Sequence, residues 1–219
     1  MRITKYLHSC LIVEEKGCRI LFDPGFYLLA EGTFSLEHFF DISAVVITHR
    51  HRDHIEVPLL KTILSANPKT FVIGNTETKE FLQQDGIASL TLNENELRVG
   101  SIVIRALPAP HEKILKQSPQ NSAYVLNEKF LHPGDSLNEC LYAWKGIDVL
   151  ALPTMGSWMT VSRAGEFAIA LRPKIVIPIH DGFAKAFYLK GHHESLRNYF
   201  QEYGVAYKMS ADVEDSIKN

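Results

Sequence analysis

Four times along this chain an apolar, strand-like run stops at a histidine or an aspartate, and that repetition restricts the fold more than any other feature. Residues 44–47 (Ala-Val-Val-Ile) run into Thr48 and His49, and residues 102–107 end at Pro108-Ala109-Pro110-His111. Residues 129–132 lead to Pro133-Gly134-Asp135, and residues 174–178 are followed by His180. Apolar, β-branched runs of this length read as strands covered on both faces. Loops leaving a sheet along one edge gather there, so polar side chains placed just past several strands can converge on one cleft.

The rest of the pattern agrees with a sheet-based fold. Residues 2–7, 11–15 and 19–22 read as a small antiparallel meander, with Lys16-Gly17 as a turn signal. Further strands are expected at 70–73, 89–92, 97–99, 122–126, 148–152 and 206–209, with 122–126 and 129–132 forming a hairpin across Asn127-Glu128. Helical spacing and boundary residues mark 58–66, which opens on Pro58, and 76–84, with Thr76 as N-cap. Helices are also expected at about 137–144, at 162–171 and at 193–203. Meanders interleaved with single helices, in two similar halves without linkers, describe a layered α/β domain spanning 1–219.

Charge and cysteine usage narrow the partners. With 23 Lys plus Arg against 25 Asp plus Glu, no global field draws the chain to nucleic acid, and no basic, aromatic-rich segment is present. The three cysteines, Cys10, Cys18 and Cys140, are odd in number and widely spaced, which points to a reducing compartment rather than a disulfide framework. No apolar stretch approaches the ~20 residues of a bilayer span, and the N-terminal residues lack the apolar core of a signal peptide. The expectation is a cytoplasmic protein with a small-molecule substrate, no nucleic-acid or membrane partner, and a homo-oligomer as an open option.

The chemistry is concentrated in His49-Arg50-His51-Arg52-Asp53-His54. His49 and His51 alternate with Arg50 and Arg52, so in extended chain the histidines point one way and the arginines the other. His111, Asp135 and His180 bring the strand-exit donors to seven, enough for two ions. Imidazole and carboxylate without cysteine favour zinc, with manganese or iron as alternatives, in an open catalytic site. The plainer reading of a lone histidine, as a surface or packed residue, suits His38, His132, His192 and His193. It does not suit four donors in six positions, which contribute nothing to core packing.

The segment resembles the signature His-x-His-x-Asp-His of the metallo-β-lactamase superfamily, met in full by His49, His51, Asp53 and His54. His111, the Gly134-Asp135 step and His180 follow in that family's order. The resemblance implies a four-layer αββα sandwich of two mixed sheets flanked by helices. It assigns His49, His51 and His111 to one metal, Asp53, His54 and His180 to a second, and Asp135 to both. It also implies a dinuclear, metal-dependent hydrolase in which a hydroxide shared by two divalent ions attacks a small ester, lactone, amide or phosphodiester. A nuclease-type phosphodiesterase and a non-catalytic metal-binding protein of the same fold are the alternatives. Leu7-His8-Ser9-Cys10 and Ile20-Leu21-Phe22-Asp23-Pro24 are further similar to the ascorbate-6-phosphate lactonase-like hydrolases. The chain departs from that group at Leu7 and at Asp181-Gly182 after His180.

Beyond the ligands, Asp53 and His8 are the candidate catalytic residues, His8 facing the cleft to bind substrate or donate a proton, with a packed core histidine as its equal alternative. Asp23 before Pro24-Gly25 reads first as a turn residue and second as a partner behind a ligand histidine, and Asp181 is a similar case. The aromatic segment 26–40 reads as an amphipathic helix packed on the sheet, with a cleft cover as the competing reading. Trp158 and Met159 raise the same choice.

Overall fold

The computed structural model describes residues 1–30, 32, 34–115 and 117–213. Residues 31 and 33 of the aromatic segment, and residues 214–219 of the expected domain, lie outside the described residues. The elements, in order, are β1 (Arg2–Lys5), β2 (Leu11–Glu15), β3 (Cys18–Phe22), α1 (Tyr27–Ala30), β4 (Ala44–Val46), α2 (Val57–Ala66), β5 (Phe71–Gly74) and α3 (Thr76–Gln83). They continue with β6 (Ser89–Thr91), β7 (Glu96–Val99), β8 (Ile102–Pro108), β9 (Ser122–Leu126), β10 (Phe130–His132) and β11 (Val149–Pro153). The last are α4 (Val161–Leu171), β12 (Ile175–Ile179), α5 (Ala186–Glu202), β13 (Ala206–Tyr207) and β14 (Ser210–Asp212).

The strands form two seven-stranded sheets, ordered β14-β1-β2-β3-β4-β5-β6 and β13-β12-β11-β10-β9-β8-β7. Each half is an antiparallel meander that continues as parallel strands. Side chains alternate in direction along a strand, and the core records that period. Ile20, Phe22 and Val46 of the first sheet meet Ile104, Tyr124, Val149 and Ile177 of the second in one buried layer. Their neighbours Leu21, Val45 and Val72 pack outward against α1, α2 and α3, and Leu150, Leu152 and Val176 pack outward against α4 and α5. The result is the expected αββα sandwich of two mixed sheets.

Several local expectations are corrected. Asn75, not Thr76, caps α3, its side chain accepting from the Thr78 amide at 2.9 Å. The helix expected at 137–144 is a six-residue 3₁₀ segment, Glu139–Trp144, behind an Asn138 cap. α5 begins seven residues before 193, because its first turns expose Phe187 and Tyr188 and so lack an apolar-in, polar-out pattern. The strand expected at 206–209 is β13, after which the chain crosses to the first sheet and adds β14 beside β1. The aromatic segment is α1 and a short 3₁₀ turn, Leu36–Phe39, rather than one helix; Leu28 and Phe39 nonetheless pack on the first sheet.

Candidate metal centre

In the first sheet β3 and β4 run parallel; in the second, β8 and β10 both run against β9, while β10, β11 and β12 run together. Within each sheet the strands that precede a candidate ligand therefore end on one edge.

The first loop is set by Asp23. Its Oδ1 accepts the Thr48 amide at 2.8 Å, and its Oδ2 accepts the Thr48 hydroxyl and His54 Nδ1–H, each at 2.7 Å. The His51 carbonyl accepts from the His54 and Ile55 amides, closing a turn that brings His54 back beside His49. Gly25 makes room for this turn: a Cβ there would stand 1.8 Å from the Asp53 carbonyl oxygen. The expected alternation holds, since His49 is buried while Arg50 and Arg52 turn away to Glu77 and Glu56, both at 2.7 Å.

Asn121 ties two further loops together. Its side-chain amide donates to the Ala109 and Pro133 carbonyls at 2.8 and 3.0 Å, and its Oδ1 accepts the Asp135 amide at 3.1 Å. Gly134 has φ of 61° and lies so close that a Cβ would stand 2.1 Å from Asn121 Oδ1. The contact with Asn121 excludes a side chain there, and the positive φ disfavours one further.

The seven candidate ligands come together in two groups. His49, His51, His111 and Asp135 form one, and Asp53, His54 and His180, joined by His8, form the other; within each, one donor atom per residue lies within 4.8 Å of the rest. Asp135 belongs to both neighbourhoods. Its Oδ2 is 3.4 Å from His111 Nε2 and 3.0 Å from His180 Nε2, and its Oδ1 is 3.2 Å from His54 Nε2.

The imidazoles are oriented from behind. Nδ1 of His54 faces Asp23, that of His111 the Glu112 carbonyl at 2.6 Å, that of His180 the Met155 carbonyl at 2.7 Å, and that of His49 the Thr48 hydroxyl at 3.1 Å. Each Nε2 is thereby left for the cleft, the arrangement that outer partners impose on metal-binding histidines. His51 turns its Nδ1 inward, 3.1 Å from His49 Nε2. Nε2 of His54, His111 and His180 and Oδ1 of Asp135 are buried without a hydrogen bond. Buried polar atoms are almost always satisfied, so four orphans aimed at one another fit a cation-binding centre.

The electrostatics are strongly coupled. Burial alone would raise the Asp135 carboxyl, but the His180, His54 and His49 imidazoles outweigh it and hold it well below the usual carboxylate range. Asp53 is lowered in the same way, with His180, His54 and His8 outweighing burial. Burial pushes His49 well down, whereas His180, also buried, is raised to about 9 by the carboxylates of Asp135 and Asp53.

His8, read either as a cleft residue or as a packed one, is buried beside the centre with both ring nitrogens engaged. Nδ1 accepts the Gly182 amide at 3.0 Å, so the ring proton sits on Nε2, 3.1 Å from Asp53 Oδ2. Tyr27 packs on His8 at 4.7 Å, and Trp158 on His111 and His180 at 5.8 and 5.4 Å, so both aromatics wall the centre.

The structure sharpens several readings of single residues. Asp23 takes its second reading, as partner of a ligand histidine, since it holds His54. His132 is the packed strand residue of its plainer reading: it is fully buried, stacked on Phe22 at 4.9 Å, with Nε2 3.9 Å from Asp23 Oδ2. Asp181 contacts buried Lys5 and stands 3.3 Å from His193, which in turn pairs with the Tyr207 hydroxyl at 2.7 Å. Asn121 and Asn75 carried no sequence signal beyond a polar residue near a strand end. Asn75 donates to the Thr48 and Gln120 carbonyls at 3.1 and 2.9 Å.

Known proteins resemble the chain over most of its length. A family model described as a beta-lactamase superfamily domain matches residues 2–180. Protein Rv0786c of Mycobacterium tuberculosis (strain ATCC 25618 / H37Rv) is 33% identical over 189 residues, 82% of this chain and 84% of that protein. The UPF0173 metal-dependent hydrolase NEQ378 of Nanoarchaeum equitans (strain Kin4-M) is 30% identical over 196 residues, covering 82% and 83%. In structure, Igni18, a metallo hydrolase from the archaeon Ignicoccus hospitalis KIN4/I, superposes with a TM-score of 0.73 at 22% identity, over 94% of this chain and 93% of that one.

Proposed function

Because the chain belongs to the beta-lactamase superfamily, we propose that it is a metal-dependent hydrolase working with two divalent ions, zinc first among them. The observation that carries this reading is Asp135, whose carboxylate stands between two groups of imidazoles with unsatisfied, buried Nε2 atoms. His49, His51 and His111 would hold one ion, Asp53, His54 and His180 the other, and Asp135 both. When bound, the ions supply Lewis acidity toward a carbonyl or phosphoryl oxygen and lower the pKa of water.

The chain's own residues do the rest. Asp53 and Asp135 stay ionised through the neutral range, because the imidazoles around them favour the charged form. His8 donates its Nε2 proton to Asp53 and so holds that carboxylate in one orientation, which makes it a positioning residue rather than a proton donor to substrate. Tyr27, Trp158 and Phe183 shield the centre from bulk water, which strengthens charge interactions inside it. The substrate we propose is a small-molecule ester, lactone, amide or phosphodiester.

Elemental analysis of metal-replete protein tests the centre directly, with about two transition-metal ions per chain expected and fewer than one refuting it. Asp135→Ala should lose both metal and turnover of generic aryl esters and phosphodiesters; unchanged metal content and turnover would remove Asp135 from the centre.

A further inference from the structure

Among the described residues α5 is the longest helix, at 17 residues, yet it buries only Leu196 and Phe200. From Ala186 to Ser195 no side chain of it is buried, and Gly191 stands in the middle of that stretch. Such a stretch makes a poor helix by itself, because glycine weakens it and most helical stability in a protein comes from packing an apolar face. Its outer face nevertheless carries aromatics: Phe187 is 81% exposed and Tyr188 56%, with Val161 of α4 lining the same cavity at 47%. A contiguous apolar patch of this kind marks an interaction surface.

The face is complementary to itself in shape. Phe187, Gly191, Ser195 and Tyr199 recur every fourth residue and so form one ridge, aromatic at both ends and small in the middle, with its midpoint at His193. Phe187 projects into solvent, whereas Tyr199 lies down on α4, where a Cβ at Gly165 would stand 2.8 Å from its ring. All four residues line one cavity of about 770 Å³, and a Cβ at Gly191 would meet nothing within 4 Å. Helices that pack such ridges together cross at about −50°, which suits small residues at the crossing and large ones where the axes diverge.

It is also complementary to itself in charge. Lys185, at the N-cap of α5, and Lys190 lie toward the Phe187 end, while Glu202 and the groove residue Glu166, next to Gly165, lie toward the Tyr199 end. Arg197 is engaged elsewhere, over the Tyr207 ring at 6.0 Å. Lys185 and Glu202 each oppose the dipole of α5, which favours acidic groups at its start and basic ones at its end. A second α5 turned end for end would offset both, bringing glutamate to lysine.

We propose that a second copy of the chain covers this face, the two α5 helices packing antiparallel across a two-fold axis at His193. Phe187 of each copy then sits on Tyr199 of the other, Gly191 meets Ser195 at the crossing, and the Lys185 end meets the Glu202 end. A two-fold contact of this kind buries the same patch on both copies and closes at two. Both the projecting ring and the basic end find their complements on the same face, which favours a second copy over a lipid surface or an unrelated protein.

Sedimentation equilibrium of the full chain tests it. Wild type should be a dimer at micromolar concentration. Phe187→Glu, at a position open to solvent, should raise the dimer Kd by roughly 30-fold or more while the circular dichroism stays that of the folded chain. Gly191→Leu should act in the same direction by filling the crossing point. Lys185→Glu with Lys190→Glu should weaken the dimer, and adding Glu166→Lys with Glu202→Lys to that variant should restore it, as an antiparallel pairing of this face with itself requires. A chain that stays monomeric at hundreds of micromolar, a dimer indifferent to Phe187→Glu, or no recovery on adding the two lysines would each overturn the proposal. So would a monomer that floats with phosphatidylcholine vesicles and loses them in Phe187→Glu, because a membrane would then cover the face.

Discussion

His8, Asp23 and His180 all hold left-handed backbone, with φ of 58°, 44° and 63°. Non-glycine residues adopt this region rarely, and strain of this kind is kept where surrounding contacts fix it. Each of the three is fixed by such contacts: His8 by Gly182 and Asp53, Asp23 by Thr48 and His54, His180 by Met155. Removing one acceptor should therefore be felt at the ligands. Asp23→Asn, which weakens the hold on His54 Nδ1, should reduce metal affinity by roughly 10- to 100-fold, measured by competition with a chromophoric chelator. His8 carries a pH signature. Burial pushes its imidazole down to about 4, against roughly 6.5 in the unfolded chain. Between those values the unfolded state takes up the proton and the folded state does not, so stability falls as pH drops through that window, by up to about 1.4 kcal/mol per unit. In metal-free protein, denaturant titrations of His8→Gln should show that part of the slope missing. At this scale the ligand types and their order were legible in the sequence. Which partners Asp23, His132 and Asn121 meet was not, because those lie 31, 109 and 14 positions away and only the folded chain brings them together.

At the scale of elements, strand positions followed from apolar runs and turn residues to within a residue or two, because both faces of these strands are covered and the runs are uninterrupted. Helices were less legible. α5 hid its first turns behind exposed aromatics, and the segment after Asp135 is too short to show a helical period. The loops joining these elements have little room for change. Gly25→Ala places a methyl against the Asp53 carbonyl and should destabilise the protein by roughly 3 kcal/mol or more, read from urea midpoints. Asn75→Ala removes the cap of α3 and takes a donor from two carbonyls, that of Gln120 and that of Thr48, which keeps the Ser122 amide. Its cost should be about 2 kcal/mol or more, above the ~1 kcal/mol of an ordinary cap.

For the whole molecule, the layered architecture was readable from the order of elements, whereas the return of β14 to the first sheet was not, since three residues beyond β13 carry no period of their own. No helix among the described residues is long and apolar enough to cross a membrane. Metal removal should act on the global stability of this fold, because an ion held by the native state alone stabilises it by mass action. Stripping the ions with a chelator should lower Tm by roughly 5–10 °C per ion, and zinc should restore it. Binding should also release protons at neutral pH, since His180 is raised to about 9 in the metal-free form and must lose its proton to act as a ligand. Calorimetry in buffers of different ionisation enthalpy reads that release. Each of the two donor groups takes residues from both sheets: His49 and His51 with His111 and Asp135, and Asp53 and His54 with His180. An ion at either place would thus act as a rivet through two plates, and the amides of β4 and β12, one in each plate, should slow their exchange in step when the metal goes in.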